Sequence, residues 1–400
     1  FYKNFPELAL EIFGPIYHFC AGNAIEPILW KGGPLYCFPK ESGDLNVKGQ
    51  RGVLLEDTSA VIFHSQLRAK LLPPLHSYLL STQYGGFKRR GTDLAALHLK
   101  VLSNYAKNNK LAFCAFFLDI SSAFESVLRG LVFDQKISDE TTAAVFRSLG
   151  FKADIFQDFV SVLAAKTAFE EAGVSPDLQR CIAAAHDATW TAVEGLDTLV
   201  VSSFGSRQGD PLGDVIFTYL ACRVLRRCGE VFASMEMLAV LPDPTKDTVI
   251  GPIDCSESCK QQAVSGISFV DDTMFPFFHK DPKLVLQWIE RAAPIIIDIF
   301  STHSLRLNFK PGKSELVFAF RGTNSRNLDL EIYGHESPVL KVTTRAMGEV
   351  KIPVSRIYTH LGCTYCPRLG PKTEIAKSIT ATRGTVSYTH LRAHETKANL

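Results

Sequence analysis

The sequence predicts an α+β fold in which an antiparallel sheet is covered by helices on one face. Three observations predict it. The run Leu111–Ile120 is apolar, rich in phenylalanine and ends on Asp119-Ile120, as a strand buried on both faces would. Gly266–Phe278 carries Asp271 and Asp272 between apolar flanks, which reads as a hairpin. Helical segments at 212–233 and 283–303 flank that hairpin, the second with Val285, Ile289, Ala292, Ile296 and Ile299 on one face. Strands and helices mix along the chain without strict alternation.

The remaining elements follow in order. Leu8, Ile12, Ile16 and Phe19 stand at helical spacing and predict an amphipathic helix broken at Pro15. Gly32-Gly33-Pro34 reads as a turn, followed by short strands around Leu35–Phe38 and Val53–Leu55. Residues 59–80 predict a helix interrupted at Pro73-Pro74, and 92–108 another. Residues 140–190 are alanine-rich and helical with a break at Gly173–Pro176, and Thr198–Phe204 is a β-branched strand. Residues 240–262 read as a loop, Pro294 as a kink, and the stretch to 366 as strand-rich. There is no internal repeat.

Composition narrows the function classes. With 46% apolar and 21% charged residues the chain is globular rather than disordered. A formal net charge of +2 means that any basic surface for nucleic acid must be local. No apolar run approaches the roughly 18 residues of a membrane span, and there is no signal peptide, so an intracellular protein without a membrane partner is expected. The ten cysteines form no regular framework and are expected to be reduced. Cys255 and Cys259 with Cys363 and Cys366 could make a four-thiolate zinc site, against which the loose first spacing and the lack of a histidine pattern weigh. The chain begins at Phe1, which suggests a fragment. Nothing bears on oligomeric state.

The chemistry lies in the carboxylates. Asp119 alone could cap a turn. Asp271-Asp272 alone could be an exposed turn, but two adjacent carboxylates between apolar strands repel unless a cation lies between them. Two strands can bring all three to one sheet edge. An oxygen-only ligand set suits Mg2+ or Mn2+, and two such ions support phosphoryl or nucleotidyl transfer.

At this point the residues resemble a family. Phe117-Leu118-Asp119-Ile120-Ser121-Ser122-Ala123-Phe124 resembles the first catalytic motif of reverse transcriptases. Arg207-Gln208-Gly209-Asp210-Pro211-Leu212-Gly213 resembles their glutamine-glycine motif, and Phe269-Val270-Asp271-Asp272 their aromatic-X-Asp-Asp motif. Gln83–Phe87 with Arg89–Thr92, Arg51–Leu55, Gly312–Glu315, His360–Gly362 and Trp30–Gly33 resemble flanking segments of non-LTR (LINE-type) retrotransposon enzymes. The resemblance implies a right-hand polymerase fold. Residues 1–110 would be the fingers and the segment leading into them. Residues 111–366 would be a palm with interleaved fingers helices and an antiparallel ferredoxin-like sheet packed on helices. Residues 367–385 would begin a truncated thumb. Residues 386–400 look like a translated sequencing-adapter tail and are set apart from the fold.

The resemblance also implies roles. Asp119 and Asp271 would bind two Mg2+ (or Mn2+) ions with the Ile120 carbonyl, and Asp272 would take a smaller share. Phe124, five residues after Asp119, stands at the steric gate against a ribose 2′-hydroxyl. Gln208 and Gly209 would lie against the incoming nucleotide, where glycine permits close backbone approach. Arg51, helped by Lys48, would hold the triphosphate. Lys313 would protonate the leaving pyrophosphate. His360, Leu361 and Gly362 would form the primer grip. Glu125 replaces the family's aspartate, and Asp210 and Asp214 make the second motif unusually acidic. The implied partners are an RNA template, a DNA primer and deoxynucleoside triphosphates, and the implied function is RNA-directed DNA polymerisation. An inactive or domesticated RNA-binding relative and an intron maturase are the alternatives.

Overall fold

The computed structural model describes residues 2–39, 49–87, 89–135, 138–241 and 262–367. Its centre is a five-stranded sheet of β3 (Gln83–Tyr84), β4 (Ala112–Leu118), β9 (Ile267–Phe269), β10 (Asp272–His279) and β11 (Glu315–Ala319), in the order β11-β4-β10-β9-β3. The pairings are antiparallel except β3 with β9, which is parallel. The expected hairpin is present as β9 and β10.

All seven residues of β4 are buried. Cys114, Phe116 and Leu118 join one apolar cluster; Phe113, Ala115 and Phe117 join another. Successive side chains point to opposite faces of a sheet, so a wholly apolar strand requires cover on both. The first cluster lies under α8 (Gly213–Ser234) and α9 (Pro282–Thr302). The second lies under α3 (Thr92–Asn108) and the hairpin of β14 (Tyr358–His360) and β15 (Cys363–Tyr365). Cover on one face only, as expected from the order of elements, is therefore corrected to cover on both.

A second sheet, β2-β1-β5-β6, combines β1 (Gly32–Pro39), β2 (Gln50–Leu54), β5 (Thr189–Val193) and β6 (Val200–Ser202). The expected turn at Gly32-Gly33-Pro34 is instead the start of β1. Gly32 is glycine because a Cβ there would lie 2.0 Å from the Trp190 carbonyl oxygen of the parallel neighbour β5.

Prolines mislead in two helices. α1 (Pro6–Asn23) continues through Pro15, and α2 (Thr58–Tyr78) through Pro73-Pro74. An interior proline costs roughly 3 kcal/mol. α2 offsets that by burying Phe63, Leu67, Leu71, Leu75 and Tyr78. In α1 the face expected to be buried is outside: Leu8, Ile12, Ile16 and Phe19 are exposed, while Tyr17 packs on Trp30 and Phe63.

The alanine-rich region forms α4 (Asp139–Leu149), α5 (Phe156–Ala164), α6 (Ala168–Glu171) and α7 (Pro176–His186), with the break before α7 as expected. The region expected as a loop carries the short pair β7 (Ala239–Leu241) and β8 (Gln262–Val264), and 242–261 lie outside the described residues. Between β11 and the paired strands β12 (Val339–Thr344) and β13 (Gly348–Pro353) runs α10 (Ser325–Tyr333), a helix the strand-rich reading missed. Among the described residues no helix is long and apolar enough to cross a membrane.

Candidate active site

β4 ends at Leu118, and Asp119 follows. β10 pairs Thr273 with Leu118, so the same register carried one residue further sets Asp272 opposite Asp119. On the other side β11 pairs Glu315 with Phe117, and the register carried two residues further sets Lys313 opposite Asp119. Three neighbouring strands thus bring Lys313, Asp119 and Asp272 to one edge. Asp271 sits in the β9–β10 turn. Val270 before it has φ +55, an unfavourable region for a β-branched residue, and its N–H donates to the Tyr84 carbonyl at 3.2 Å.

Asp119 is held at four points. Its N–H donates to Ser314 Oγ at 3.0 Å, and its carbonyl accepts the Asn308 N–H at 2.9 Å. Its carboxylate accepts from Asn308 Nδ2 at 3.1 Å through Oδ2 and meets Lys313 Nζ at 3.3 Å through Oδ1. Burial raises the Asp272 pKa to about 6, with the charges of Asp271 and Asp119 adding to it and Lys313 opposing. The three carboxylates therefore share one electrostatic field. Their all-oxygen donor set fits Mg2+ or Mn2+.

The neighbouring segments lock onto this edge. The Ile120 side chain is buried and its backbone bridges to Leu307. The half-buried Phe124 ring packs 5.3 Å from Phe217, and the Phe124 carbonyl accepts the Ser206 N–H at 2.7 Å. The Gln208 carbonyl accepts the Leu54 N–H at 2.9 Å. Gly209 has φ +114, and a Cβ there would lie 2.4 Å from the Leu54 carbonyl oxygen, so only glycine fits. Gln208-Gly209 is thereby set on β2, the strand that contains Arg51. The Arg51 backbone pairs with Phe38; its side chain, like all of Lys48, lies outside what is described. Tyr358 stacks on Phe117 with ring centroids 4.2 Å apart and donates to the Lys313 carbonyl at 2.6 Å, which fixes β14 to the site. His360 is buried 5.1 Å from Phe117, and burial lowers its pKa to about 4, so the ring is neutral. Leu361 (φ +51) and Gly362 (φ +76) make the turn to β15. Cys363 and Cys366 lie in and after β15, but Cys255 and Cys259 lie outside the described residues.

No family model matches the chain, and no curated protein matches its sequence. Among solved structures, apo telomerase from Candida tropicalis, truncated from its C-terminal domain, superposes with a TM-score of 0.44 at 12% identity, over 75% of this chain and 52% of that one. Telomerase from Candida tropicalis in complex with the TWJ fragment of telomeric RNA gives a TM-score of 0.41 at 11% identity, over 72% and 41%. The chain spans about half the length of these structures or less. Likeness at this level leaves the site to be read from its own residues.

Sequence reasoning missed several residues. Asn308 and Tyr358 support Asp119 and Lys313, and nothing in their spacing marks them apart from ordinary loop and strand residues; Ser314 lies in the Gly312–Glu315 segment, whose resemblance gave it no role. Arg129 is fully buried and donates to Gly205 O at 2.9 Å, His186 O at 2.5 Å and Thr189 Oγ1 at 2.9 Å, so it organises the loop that leads into Arg207. Burial lowers its pKa to about 9.

The two extra acids of the second motif are both paired. Asp214 forms a two-pronged ion pair with Arg68. Asp210 joins a buried cluster with Glu56, His64 and Arg207, in which the donor atoms of Glu56, His64 and Asp210 lie within 4.8 Å of one another and could hold a metal ion. Burial works to lower the His64 pKa, but Asp210, Glu26 and Glu56 outweigh it and raise it to about 11. Burial pushes Glu56 up. It works the same way on Asp210, where Arg207 and His64 prevail and hold the carboxyl well below the usual range.

Proposed function

We propose that the chain is the fingers and palm of an RNA-directed DNA polymerase of reverse-transcriptase type, from a retrotransposon-like element. Residues 1–110 and 111–366 would be those two parts, interleaved through the second sheet. One observation carries the reading: Asp119, Asp271 and Asp272 converge at adjacent strand ends, with Lys313 in the same register.

Two Mg2+ or Mn2+ ions held by Asp119 and Asp271, with Asp272 beside them, would supply Lewis-acid stabilisation of the attacking and leaving oxygens. The protein's own residues do the rest. Asn308 and Ser314 hold the Asp119 carboxylate and backbone in place. Lys313, within 3.3 Å of Asp119, delivers the proton to the departing pyrophosphate. Gln208-Gly209 offers flat backbone to the nucleotide, and Arg51 with Lys48 binds its triphosphate. The Phe124 ring, backed by Phe217, rejects a 2′-hydroxyl. Neutral His360 with Leu361 and Gly362 supports the primer end.

Primer extension on an RNA template with Mg2+ and deoxynucleoside triphosphates tests this. Template-directed incorporation is expected, falling roughly a thousandfold or more in Asp271→Ala. Incorporation unchanged in Asp271→Ala would sink the metal-ligand assignment. RNA binding without incorporation would replace the polymerase reading with one of an RNA-holding protein.

A further inference from the structure

Beneath Gln208-Gly209, three elements aim donor atoms at one enclosed point. Glu56 follows β2, His64 lies in α2, and Asp210 follows the glycine itself. Their side chains are 0% exposed. His64 Nδ1 is 3.4 Å from Glu56 Oε2 and 3.4 Å from Asp210 Oδ1. These contacts are too long for good hydrogen bonds, and Glu56 Oε2 and His64 Nδ1 are left without one. Orphaned buried polar atoms that converge from separate elements require a cause.

We propose that Glu56, His64 and Asp210 bind one divalent cation of the zinc class, distinct from the ions at the Asp119 edge. A tetrahedral ion with bonds of about 2.1 Å holds neighbouring ligand atoms about 3.4 Å apart. That is the separation His64 Nδ1 keeps from each carboxylate oxygen. One imidazole nitrogen with two carboxylates suits zinc and disfavours magnesium, which prefers oxygen alone.

The surroundings match a metal's outer shell. His64 Nε2 meets Glu26 Oε2 at 3.1 Å, the carboxylate–histidine pairing that orients an imidazole ligand toward a metal. Arg207 takes the outward oxygens, Glu56 Oε1 at 3.0 Å and Asp210 Oδ2, so the inward Glu56 Oε2 and Asp210 Oδ1, the latter also accepting the Leu212 N–H at 2.8 Å, face the ion. Glu26, Glu56 and Asp210 bring three negative charges against Arg207 and, without an ion, a protonated His64, which leaves one negative charge over; a divalent ion that displaces the His64 proton balances the cluster. Three protein donors leave one position for a water. The ion would tie β2 and α2 to Gln208-Gly209 as a structural cross-link. This proposal does not depend on the polymerase reading.

The test is metal content and thermal stability of the full chain, purified without chelator and held in excess Mg2+. About one zinc per chain is expected. Removing it with a chelator lowers Tm by several degrees, and one equivalent of zinc restores it where magnesium does not. Asp210→Asn, which keeps the shape and the Leu212 N–H contact, loses the zinc. Glu26→Gln stays folded and binds it at least tenfold more weakly. Cys363→Ser with Cys366→Ser retains it. Zinc that follows the cysteines rather than Asp210 would overturn the proposal. So would a metal-free chain whose Tm ignores zinc, since His64 would then be a protonated member of a closed ion-pair network.

Discussion

Two acidic clusters in this chain are built on opposite plans. At the strand edge, Asp119 is 27% exposed and Asp271 and Asp272 are half-buried, with the half-exposed Lys313 as the cation on Asp119. Around His64, carboxylates of equal chemistry are sealed from solvent and stitched to Arg207 and His64. The first arrangement leaves negative charge in excess and raises the Asp272 pKa to about 6, with burial the largest cause. The second holds Asp210 ionised, because buried charge persists only when it is matched. A reachable cluster with excess charge suits exchangeable cations. An enclosed one, tied to Arg207 and completed by the cation proposed above, holds architecture together.

The sharpest way to break this contrast is Arg207→Ala. It strips the buried carboxylates of their guanidinium, and a loss of about 3–5 kcal/mol in denaturant unfolding is expected. Arg68→Ala removes an ion pair whose side chains are 24% and 37% exposed, and it should cost no more than about 1 kcal/mol. Equal losses for the two would erase the distinction between matched-buried and surface charge.

Asp272→Asn acts on the other cluster with the opposite sign. The folded pKa lies above the ordinary 3.8, so native protein without metal holds that proton more tightly than unfolded chain does. Asp272 therefore costs nothing below about pH 4, and its full cost appears above about pH 6. The substitution should stabilise metal-free protein by about 1–2 kcal/mol at pH 8, allowing for solvent screening, and by nothing at pH 4. In metal-free protein Asp272 takes up its proton as pH drops through about 6, so Mg2+ affinity should weaken below that pH as proton and ion compete. A stabilisation that does not change with pH would mean that the excess charge at the edge is not felt.

Asn308→Ala is the mildest change. It takes one hydrogen bond from the Asp119 carboxylate, worth about 1 kcal/mol, so metal affinity should weaken up to about tenfold with little change in Tm. An unchanged metal titration would show that Lys313 and Ser314 hold Asp119 without it.

Much of the site is legible in the sequence, because its residues lie within short contiguous motifs. Phe117–Phe124, Arg207–Gly213 and Phe269–Asp272 each carry their own local pattern, and the strands expected at the first and last of them are present. The supporting residues are not legible in this way. Asn308, Tyr358 and Arg129 have no periodicity or neighbour that separates them from ordinary loop, strand or core positions. His64 reads as one more residue of a helix.

Patterning alone settled which segments are strands and helices wherever apolar runs were long, as in β4 and α9. It failed where a local rule met a tertiary one. Pro15 and Pro73-Pro74 did not end their helices, the latter pair because the packing of α2 outweighs a lost hydrogen bond, and Gly32 began a strand instead of a turn because a close parallel neighbour demands glycine. The sequence by itself determined that three aspartates would end or join apolar strands. Only the tertiary structure decided that Asp119 and Asp272 stand opposite one another, with Asp271 in the adjoining turn. Meeting depends on the register between β4, β10 and β11, and register is a property of pairing that no single strand encodes.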